Sequence, residues 1–393
     1  MKRVALAVAL IAGLSTTGCF TFRRTPPKPG LTYVGSKPVT IPARLVSNVL
    51  VVESKWDRYG PYHFVIDTGS SVTLVSPELA ARYSQGNLAP PGEPQVRVRA
   101  PNGGSMLLDP VTLGRIQLGS VRFEQVPALS YDCSDLSAQF GVKVDGVLGF
   151  PLFRNAVLTL DYPHKRIVLR SRIPEEGLPG EAILFTNPDK TPLIAVRLGN
   201  HDLEALIDSG SGQSLVINPA GILPRFAFGP VEGPVVATLA GDRVSYVGRV
   251  DGVLRIGSFD IPNPVSEVTD ELSSVGGGIL SHFIVTFDQE HDEVFFQAGS
   301  DADIVVPALR GTGMSFRKTP AYWKVVGVIQ DSPAAAAAVT KGDLVSRING
   351  EPVASWDPAR FEHLLAKAAT IDFTFIQGAS AAVRQIQVVD IVP

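Results

Sequence analysis

The sequence predicts a mainly β protein, in which a two-lobed, internally duplicated β domain is followed by a small α+β domain. The first observation is composition: 37 glycines and 31 prolines in 393 residues favour short strands joined by turns over long helices. The second is a pair of aspartate-containing segments that recur in the same order along the chain. The third is a separate ordered set of turn and helix signals in the last ninety residues or so.

Composition also excludes several classes of protein. A length of 393 residues suggests two or three domains, and 45% hydrophobic against 19% charged residues is enough to build buried cores. The net charge of −3 does not suit a nucleic-acid-binding protein. Two cysteines can form neither a cysteine-rich zinc site nor a disulfide framework.

The N-terminus has the pattern of a secretory signal. Lys2 and Arg3 precede the apolar run 4–14, which is too short to cross a bilayer as a helix. The following Leu-Ser-Thr-Thr-Gly-Cys segment resembles a bacterial lipobox, although Thr16 stands where leucine is preferred. That resemblance implies a signal peptide over 1–18, lipid on Cys19 and a proline-rich tether over 19–40. The alternative is ordinary cleavage, with Cys19 removed or left as a spare thiol.

If Cys19 carries lipid, the protein is expected to be a lipoprotein of the bacterial envelope. The signal would take the chain across the inner membrane, and the anchored domains would then face the periplasm, at the outer membrane. Cys133 would be the remaining thiol, so no disulfide is expected.

The central part of the chain contains an internal repeat. An apolar, strand-like run precedes Asp67-Thr68-Gly69-Ser70, and another precedes Asp208-Ser209-Gly210-Ser211, 141 positions later. Two further segments match: Val147-Leu148-Gly149 is followed by Asp161 and Ser274-Val275-Gly276 by Asp288, each time 12 positions after the glycine. Two elements that recur in the same order are stronger evidence of duplication than one short motif.

Paired aspartates at the ends of duplicated strands have a chemical use. Related by a pseudo-twofold axis, the two carboxyl groups can come together, and like charges a few ångströms apart cannot both ionise. One carboxylate can then activate water as a general base while the other protonates or polarises a peptide carbonyl. A single Asp-Thr-Gly would indicate no more than a turn.

These motifs resemble those of aspartic peptidases of the retropepsin and pepsin type over residues 45–298. The resemblance implies an acid-protease-like domain with lobe 1 at 41–172 and lobe 2 at 173–300, and it implies that Asp67 and Asp208 form the catalytic dyad. Because one chain carries both aspartates, we expect a monomer. Ser274 departs from the family, which has an aliphatic residue there.

The same resemblance gives roles to the residues around the dyad. Thr68 and Ser209 would form interlocking hydrogen bonds beneath it, Gly69 and Gly210 would form tight turns, and Ser70 and Ser211 would hydrogen-bond the outer carboxylate oxygens. Two hairpins match the position of substrate-covering flaps, with tips at Asn102, Gly103 and Gly104 and at Ala240, Gly241 and Asp242.

Residues 305–393 resemble a bacterial PDZ domain. The ordered signals are Gly-Thr-Gly-Met at 311–314, Asp-Ser-Pro-Ala at 331–334, Gly-Asp at 342–343 and Asn-Gly at 349–350, followed by a second helix. PDZ domains bind C-terminal peptides by strand addition. The resemblance implies that Thr312, Gly313 and Met314 supply the amides that hold the peptide carboxylate. The alternative is a packing domain with a closed groove.

Two function classes follow from these patterns. The first is an aspartic endopeptidase whose PDZ domain recruits or gates protein or peptide substrates. The second is a non-catalytic envelope lipoprotein that binds peptides through a degenerate protease fold. The sequence contains no His-x-x-x-His pair and no Gly-x-Ser-x-Gly, so we expect no metal, no cofactor, no serine-nucleophile chemistry and no nucleic-acid partner.

Overall fold

The computed structural model describes residues 30–84, 94–99, 104–174, 177–220, 222, 224–238 and 241–393. Strands make up 52% and helices 11%, which confirms the predicted mainly β class. The predicted signal peptide, Cys19 and the predicted flap residues Asn102, Gly103 and Ala240 lie outside the described residues.

The described residues of lobe 1 form strands, two short helices and one 3₁₀ turn. In chain order these are Thr32–Tyr33 (β1), Val39–Val46 (β2), Val49–Ser54 (β3), Tyr62–Asp67 (β4), Leu74–Val75 (β5), Pro77–Tyr83 (α1), Val96–Arg99 (β6), Ser105–Leu118 (β7), Val121–Ser130 (β8), Ser134–Phe140 (α2), Gly146–Gly149 (β9), the 3₁₀ turn Phe150–Phe153, Val157–Asp161 (β10) and Arg166–Arg170 (β11).

Lobe 2 repeats much of this order. Its elements are Glu181–Thr186 (β12), Leu193–Leu198 (β13), His201–Asp208 (β14), Leu215–Ile217 (β15), Phe226–Thr238 (β16), Gly241–Val250 (β17), Val253–Ile256 (β18), Phe259–Pro262 (β19), Val265–Val268 (β20), Ser274–Gly276 (β21), Gly277–Leu280 (α3), Phe283–Asp288 (β22) and Glu293–Ala298 (β23). Phe283 opens β22 and packs against Phe259 and Phe296.

The strand pairings of the two lobes match. In lobe 1, β4 runs parallel to β9, and β5 pairs with β8 in parallel and with β9 antiparallel. In lobe 2, β14 runs parallel to β21, and β15 pairs with β20 in parallel and with β21 antiparallel. The duplication seen in the sequence is thus also a duplication of topology.

A six-stranded sheet joins the lobes in the order β2, β11, β10, β22, β23, β12. Its central pair is antiparallel and brings Thr159 opposite Thr286, whose buried hydroxyl oxygens are 2.9 Å apart. Each of these threonines lies two residues before the matched aspartate of its own lobe, so the sheet has an approximate twofold relation at this point.

One apolar core runs through both lobes, from Ile41 to Val306. Strand alternation explains how β4 contributes to it: Phe64 and Ile66 point into this core, whereas Val65 and Asp67 point to the opposite face. Strand β14 repeats the arrangement, with Ala205 in the core and Asp208 on the opposite face. The alternation therefore directs both aspartates away from the core.

The C-terminal part has its own core, from Trp323 to Val388. Its elements are Leu309–Gly311 (β24), Met314–Lys318 (β25), Trp323–Val328 (β26), Pro333–Ala336 (α4), Leu344–Ile348 (β27), Glu351–Pro352 (β28), the 3₁₀ turn Val353–Ser355, Pro358–Lys367 (α5), Thr370–Gln377 (β29), Ser380–Gln387 (β30) and Val389–Val392 (β31). Ser332 caps α4 and Asp357 caps α5, each followed by proline at the first helical position.

Strand β25 lies at the edge of its sheet and touches both lobes. Arg317 forms ion pairs with Asp135 at the start of α2 and, at 2.9 Å, with Asp242 on β17. The hydroxyl of Ser315 accepts a hydrogen bond from the backbone N–H of Val235 on β16 at 2.9 Å. In the described part of the chain, no helix is both long and apolar enough to cross a membrane.

Candidate active site

Each candidate aspartate ends a strand that is held by a second, glycine-containing strand. Asp67 is the register partner of Gly149, and Asp208 that of Gly276. A Cβ atom on Gly149 would lie 2.3 Å from the carbonyl oxygen of Val72, and one on Gly276 2.4 Å from that of Gln213. The two turns close only because these glycines have no side chain.

Thr68 and Ser209 link the two turns by a reciprocal set of hydrogen bonds. The N–H of Thr68 donates to Ser209 Oγ at 2.9 Å, and the N–H of Ser209 donates to Thr68 Oγ1 at 3.0 Å. Each hydroxyl then donates into the opposite lobe, Thr68 to the carbonyl of Ile207 at 2.6 Å and Ser209 to that of Ile66 at 2.8 Å. Both side chains are fully buried, so this network has no competing water.

The glycine within each motif allows the carboxyl groups to come together. A Cβ atom on Gly69 would lie 2.6 Å from Oδ1 of Asp208, and one on Gly210 would lie 2.4 Å from Cγ of Asp67. Each carboxyl group therefore packs against the backbone of the opposite turn. The two groups are close enough for each to shift the pKa of the other.

The electrostatics of the pair favour a shared proton. Burial and the adjacent charge of Asp208 raise the pKa of Asp67 well above its usual range, although the N–H groups of Gly69 and Ser70 oppose this shift. Burial also raises the pKa of Asp208, against the N–H groups of Gly210 and Ser211. The interaction between the two carboxyls raises the pKa of Asp67 and lowers that of Asp208, so the shared proton is held on Asp67. Oδ1 of Asp67 is buried and has no hydrogen-bond partner among the described residues.

The hydroxyls of Ser70 and Ser211 do not have the expected partners. Ser70 Oγ donates to the carbonyl of Val72 at 2.8 Å, and Ser211 Oγ accepts from the N–H of Gln213 at 3.3 Å. The hydroxyls thus close local turns. The backbone N–H groups of Ser70 and Ser211 interact with the carboxylates instead, because the tight turn points them inward.

The two predicted flaps are hairpins of unequal length. In the first, β6 pairs with β7 up to Arg99 and Ser105, and Gly104 leads into β7. Arg99 donates to Glu271 of lobe 2 at 3.1 Å, so this hairpin spans the two lobes. In the second, β16 pairs with β17 up to Thr238 and Gly241. Asp242 of this hairpin contacts Arg317 of the C-terminal domain.

The predicted carboxylate-binding loop lies between β24 and β25. The carbonyl of Thr312 accepts from the N–H of Ala334, and that of Gly313 accepts from the N–H of Ile329. Gly313 has a φ of +89° and packs against Ser332, so a side chain there would be both strained and obstructed. Met314 starts the edge strand β25.

Other polar groups lie away from the dyad. Asp161 and Asp288 are buried and accept hydrogen bonds from His164 at 2.7 Å and His291 at 2.6 Å, so they brace turns. A cavity of about 690 Å³ between residues 150–157 and 288–291 includes neither candidate aspartate. No cluster suited to a metal ion occurs among the residues that the structure describes.

Sequence reasoning missed two charged residues on the same face of lobe 2 as Asp208. Glu267 on β20 is fully buried and contacts Arg243 on β17. The available signal was a lone glutamate between Ser266 and Val268 in a strand with no other charged residue. Its partner could not be identified, because Arg243 lies on a different hairpin strand.

The hydrogen bonds of Thr68 lead to a first prediction. Thr68→Ala removes the acceptor for the N–H of Ser209 and the donor to Ile207, and we expect a loss of about 1–3 kcal/mol in the free energy of unfolding. Thr68→Ser keeps the hydroxyl and should lose about 1 kcal/mol or less. Urea unfolding followed by circular dichroism measures both. Equal losses in the two variants would contradict the importance of the hydroxyl.

The raised pKa of Asp67 leads to a second prediction. A carboxyl whose folded-state pKa is raised contributes stability below its unfolded pKa of about 3.9, and this contribution disappears as pH rises through the folded pKa. Asp67→Asn should therefore be more stable than the parent protein at pH 7 and should lose less stability between pH 4 and pH 7. Urea unfolding across this range measures the difference.

The control for this experiment is Asp202→Asn. Asp202 is exposed and its pKa is lowered by Arg197, so this change should give no gain in stability at pH 7. Stability curves of the same shape for Asp67→Asn and the parent protein would contradict the prediction.

Comparison with known proteins gives a family match for the lobe 1 part of the site. A model of the aspartyl protease family matches residues 53–152, a range that contains Asp67 and Gly149. The search of curated proteins gave no match.

Among solved structures, a PDZ domain protein from Parabacteroides distasonis is 18% identical over 21% of this chain and 20% of its own, with a TM-score of 0.19. The chain therefore spans about a fifth of that structure. The HtrA3 PDZ domain bound to a phage-derived ligand, FGRWV, is 18% identical over 21% of this chain and 89% of its own, also with a TM-score of 0.19. The family match, carried by residues 53–152, is to a peptidase-type hydrolase of the aspartyl protease kind.

Proposed function

We propose that the protein is an aspartic endopeptidase that hydrolyses peptide bonds in proteins or peptides. One observation carries the proposal: the carboxyl group of Asp67 packs against Gly210 and that of Asp208 against Gly69, so each lies on the turn that presents the other. The match of residues 53–152 to an aspartyl protease family supports the same conclusion.

The arrangement suits hydrolysis by activated water. With one proton between the two carboxyls, the ionised group takes a proton from a water molecule while the oxygen of that water attacks the peptide carbonyl carbon. The protonated group donates to the carbonyl oxygen. Collapse of the tetrahedral intermediate breaks the C–N bond, and the amine leaves with a proton from the dyad. No bond between enzyme and substrate forms in this sequence.

The C-terminal domain is proposed to gate or recruit substrate. A peptide that adds a strand to β25 would meet the contacts that this edge strand makes with α2 and the β16–β17 hairpin. Peptide binding at β25 would then compete with the contacts that hold the second predicted flap, the β16–β17 hairpin. These contacts favour gating over simple recruitment.

An envelope location is part of the proposal. The sequence signals at Lys2, Arg3 and Cys19 support secretion followed by lipid attachment. The proposed tether is shorter than the expected 19–40, because Thr32–Tyr33 already pairs with β8 of lobe 1. The proposed substrates would then be proteins or peptides of the bacterial envelope.

Loss of either aspartate tests the catalytic proposal. We expect Asp67→Asn and Asp208→Asn each to lower kcat/KM for casein at least about 1,000-fold, because either change removes one half of the acid–base pair. Cleavage is followed across pH 3 to 8, and activity should fall as rising pH removes the shared proton, since both pKa values are raised. Asp202→Asn is the control.

Two outcomes would contradict the catalytic proposal. The parent protein could fail to cleave at every pH, which would favour the peptide-binding alternative. Cleavage could also persist in both asparagine variants, in which case the activity would come from another site.

Substitution of Arg317 tests whether the C-terminal domain gates substrate access. Arg317→Ala removes both ion pairs between β25 and the lobes, and we expect a change of about two- to five-fold in kcat/KM for casein. Arg317→Lys, which keeps the charge, should lie closer to the parent protein. Identical kinetics in all three proteins would contradict a coupling between the C-terminal domain and the hairpin.

A further inference from the structure

Lobe 2 contains a buried ion pair that the dyad does not use. The carboxylate of Glu267 has no solvent exposure, and its charge partner is Arg243, whose side chain is 25% exposed. Oε1 of Glu267 contacts Nη1 of Arg243, whereas Oε2 of Glu267 and Nε of Arg243 have no hydrogen-bond partner within the described part of the chain. A carboxylate can accept several hydrogen bonds, so Glu267 has unused capacity in a place where burial is costly.

The register of the strands places Glu267 on the face of the sheet that presents Asp208. Leu206 and Asp208 share one face of β14, because Ala205 and Ile207 point into the core. The register partners of Leu206 continue this face across the neighbouring strands. They are, in order, Ser274 on β21, Val216 on β15, Glu267 on β20 and Val247 on β17. Arg243 lies four residues before Val247, hence on the same side of β17.

The equivalent chain of partners in lobe 1 is apolar. It starts at Val65, beside Asp67, and continues through Val147, Leu74 and Leu129. These four residues belong to one buried cluster, and Val98 and Met106 of the first hairpin pack against it. Leu129 is thus the lobe 1 counterpart of Glu267, and Val147 is the counterpart of Ser274. The walls on the two sides of the dyad differ in chemistry although their topology is the same.

We propose that Glu267 is a specificity residue that selects a cationic side chain, lysine or arginine, on the lobe 2 side of the scissile bond, while lobe 1 takes an apolar side chain. This rests on the proposed peptidase function. Arg243 lies next to the predicted flap tip and acts as an internal cation that neutralises Glu267 when no substrate is bound. A substrate cation takes its place when a peptide enters beneath the hairpin.

Burial explains why the selection would be strong. Burial raises the pKa of Glu267, and the positive charge of Arg243 opposes this shift. A neutral substrate side chain that displaced Arg243 would leave a buried carboxylate without a counter-charge, which is strongly unfavourable. A lysine or arginine restores the charge balance and supplies hydrogen-bond donors to the carboxylate of Glu267, including its unpartnered Oε2. Selectivity then arises from the penalty on neutral side chains as much as from attraction.

Cleavage profiling of a peptide library tests this with the full chain. We expect the parent protein to enrich lysine or arginine at least about ten-fold at one position on one side of the cut, with apolar residues on the other side. Glu267→Gln should reduce that enrichment to within two-fold. Arg243→Gln should keep it, because the carboxylate remains. Asp260→Asn, which removes an exposed lobe 2 carboxylate paired with Arg255, should leave the profile unchanged.

A binding experiment separates failure of this inference from failure of the peptidase proposal. Two C-terminally amidated peptide pools are used, identical except that one has lysine where the other has norleucine; amidation removes the carboxylate that a PDZ domain would bind. Asp67→Asn protein should bind the lysine pool at least about ten-fold more tightly in fluorescence anisotropy. Adding Glu267→Gln should abolish the difference.

The outcomes are distinct. Cleavage that depends on Asp67 but shows an unchanged profile in Glu267→Gln overturns this inference and leaves the peptidase proposal standing. Equal binding of the two pools overturns the inference even if no cleavage is found; the ion pair would then only fasten the hairpin to the lobe. The double variant Arg243→Gln with Glu267→Gln removes both charges, so the loss of selectivity can be measured without an unpaired buried charge.

Discussion

The reciprocal hydrogen bonds between Thr68 and Ser209 are the constraint on which the site depends. Each residue supplies one backbone donor and one hydroxyl to the opposite lobe, and no water reaches them. Because every bond crosses between lobes, a change in the relative position of the lobes would break all four. The relative position of Asp67 and Asp208 is therefore fixed by the same contacts that hold the lobes together.

That rigidity has a cost at neutral pH. Two carboxyl groups are pressed together by Gly69 and Gly210, in surroundings that raise the pKa of both. Stability and the proposed activity thus depend on the same proton: it relieves the repulsion between the carboxyls, and it supplies the acid of the proposed mechanism. A protein that contains such a site is often less stable than the same fold would be without it.

Duplication made the two lobes alike in topology, but the surroundings of the dyad are not alike. Leu129 and Glu267 occupy equivalent register positions and differ in charge, and the two hairpins differ in what they touch. The first hairpin reaches across to Glu271, whereas the second contacts the C-terminal domain through Asp242. The two carboxyl groups are thus related by an approximate twofold axis, whereas the side chains around them are not. A peptide substrate has a direction, and these unequal side chains can distinguish its two ends.

The sequence by itself determined the mainly β class, the duplication and the two aspartates, because these depend on short local patterns: an apolar strand, an Asp-Thr/Ser-Gly turn and a spacing of 12 residues that recurs. The partners of Ser70, the pairing of Glu267 with Arg243 and the contacts of Arg317 were decided only by the tertiary structure. Each is a contact of a single side chain whose direction depends on turn geometry or on strands distant in the chain. Local patterns carry no information about such contacts, since strand register and packing set them.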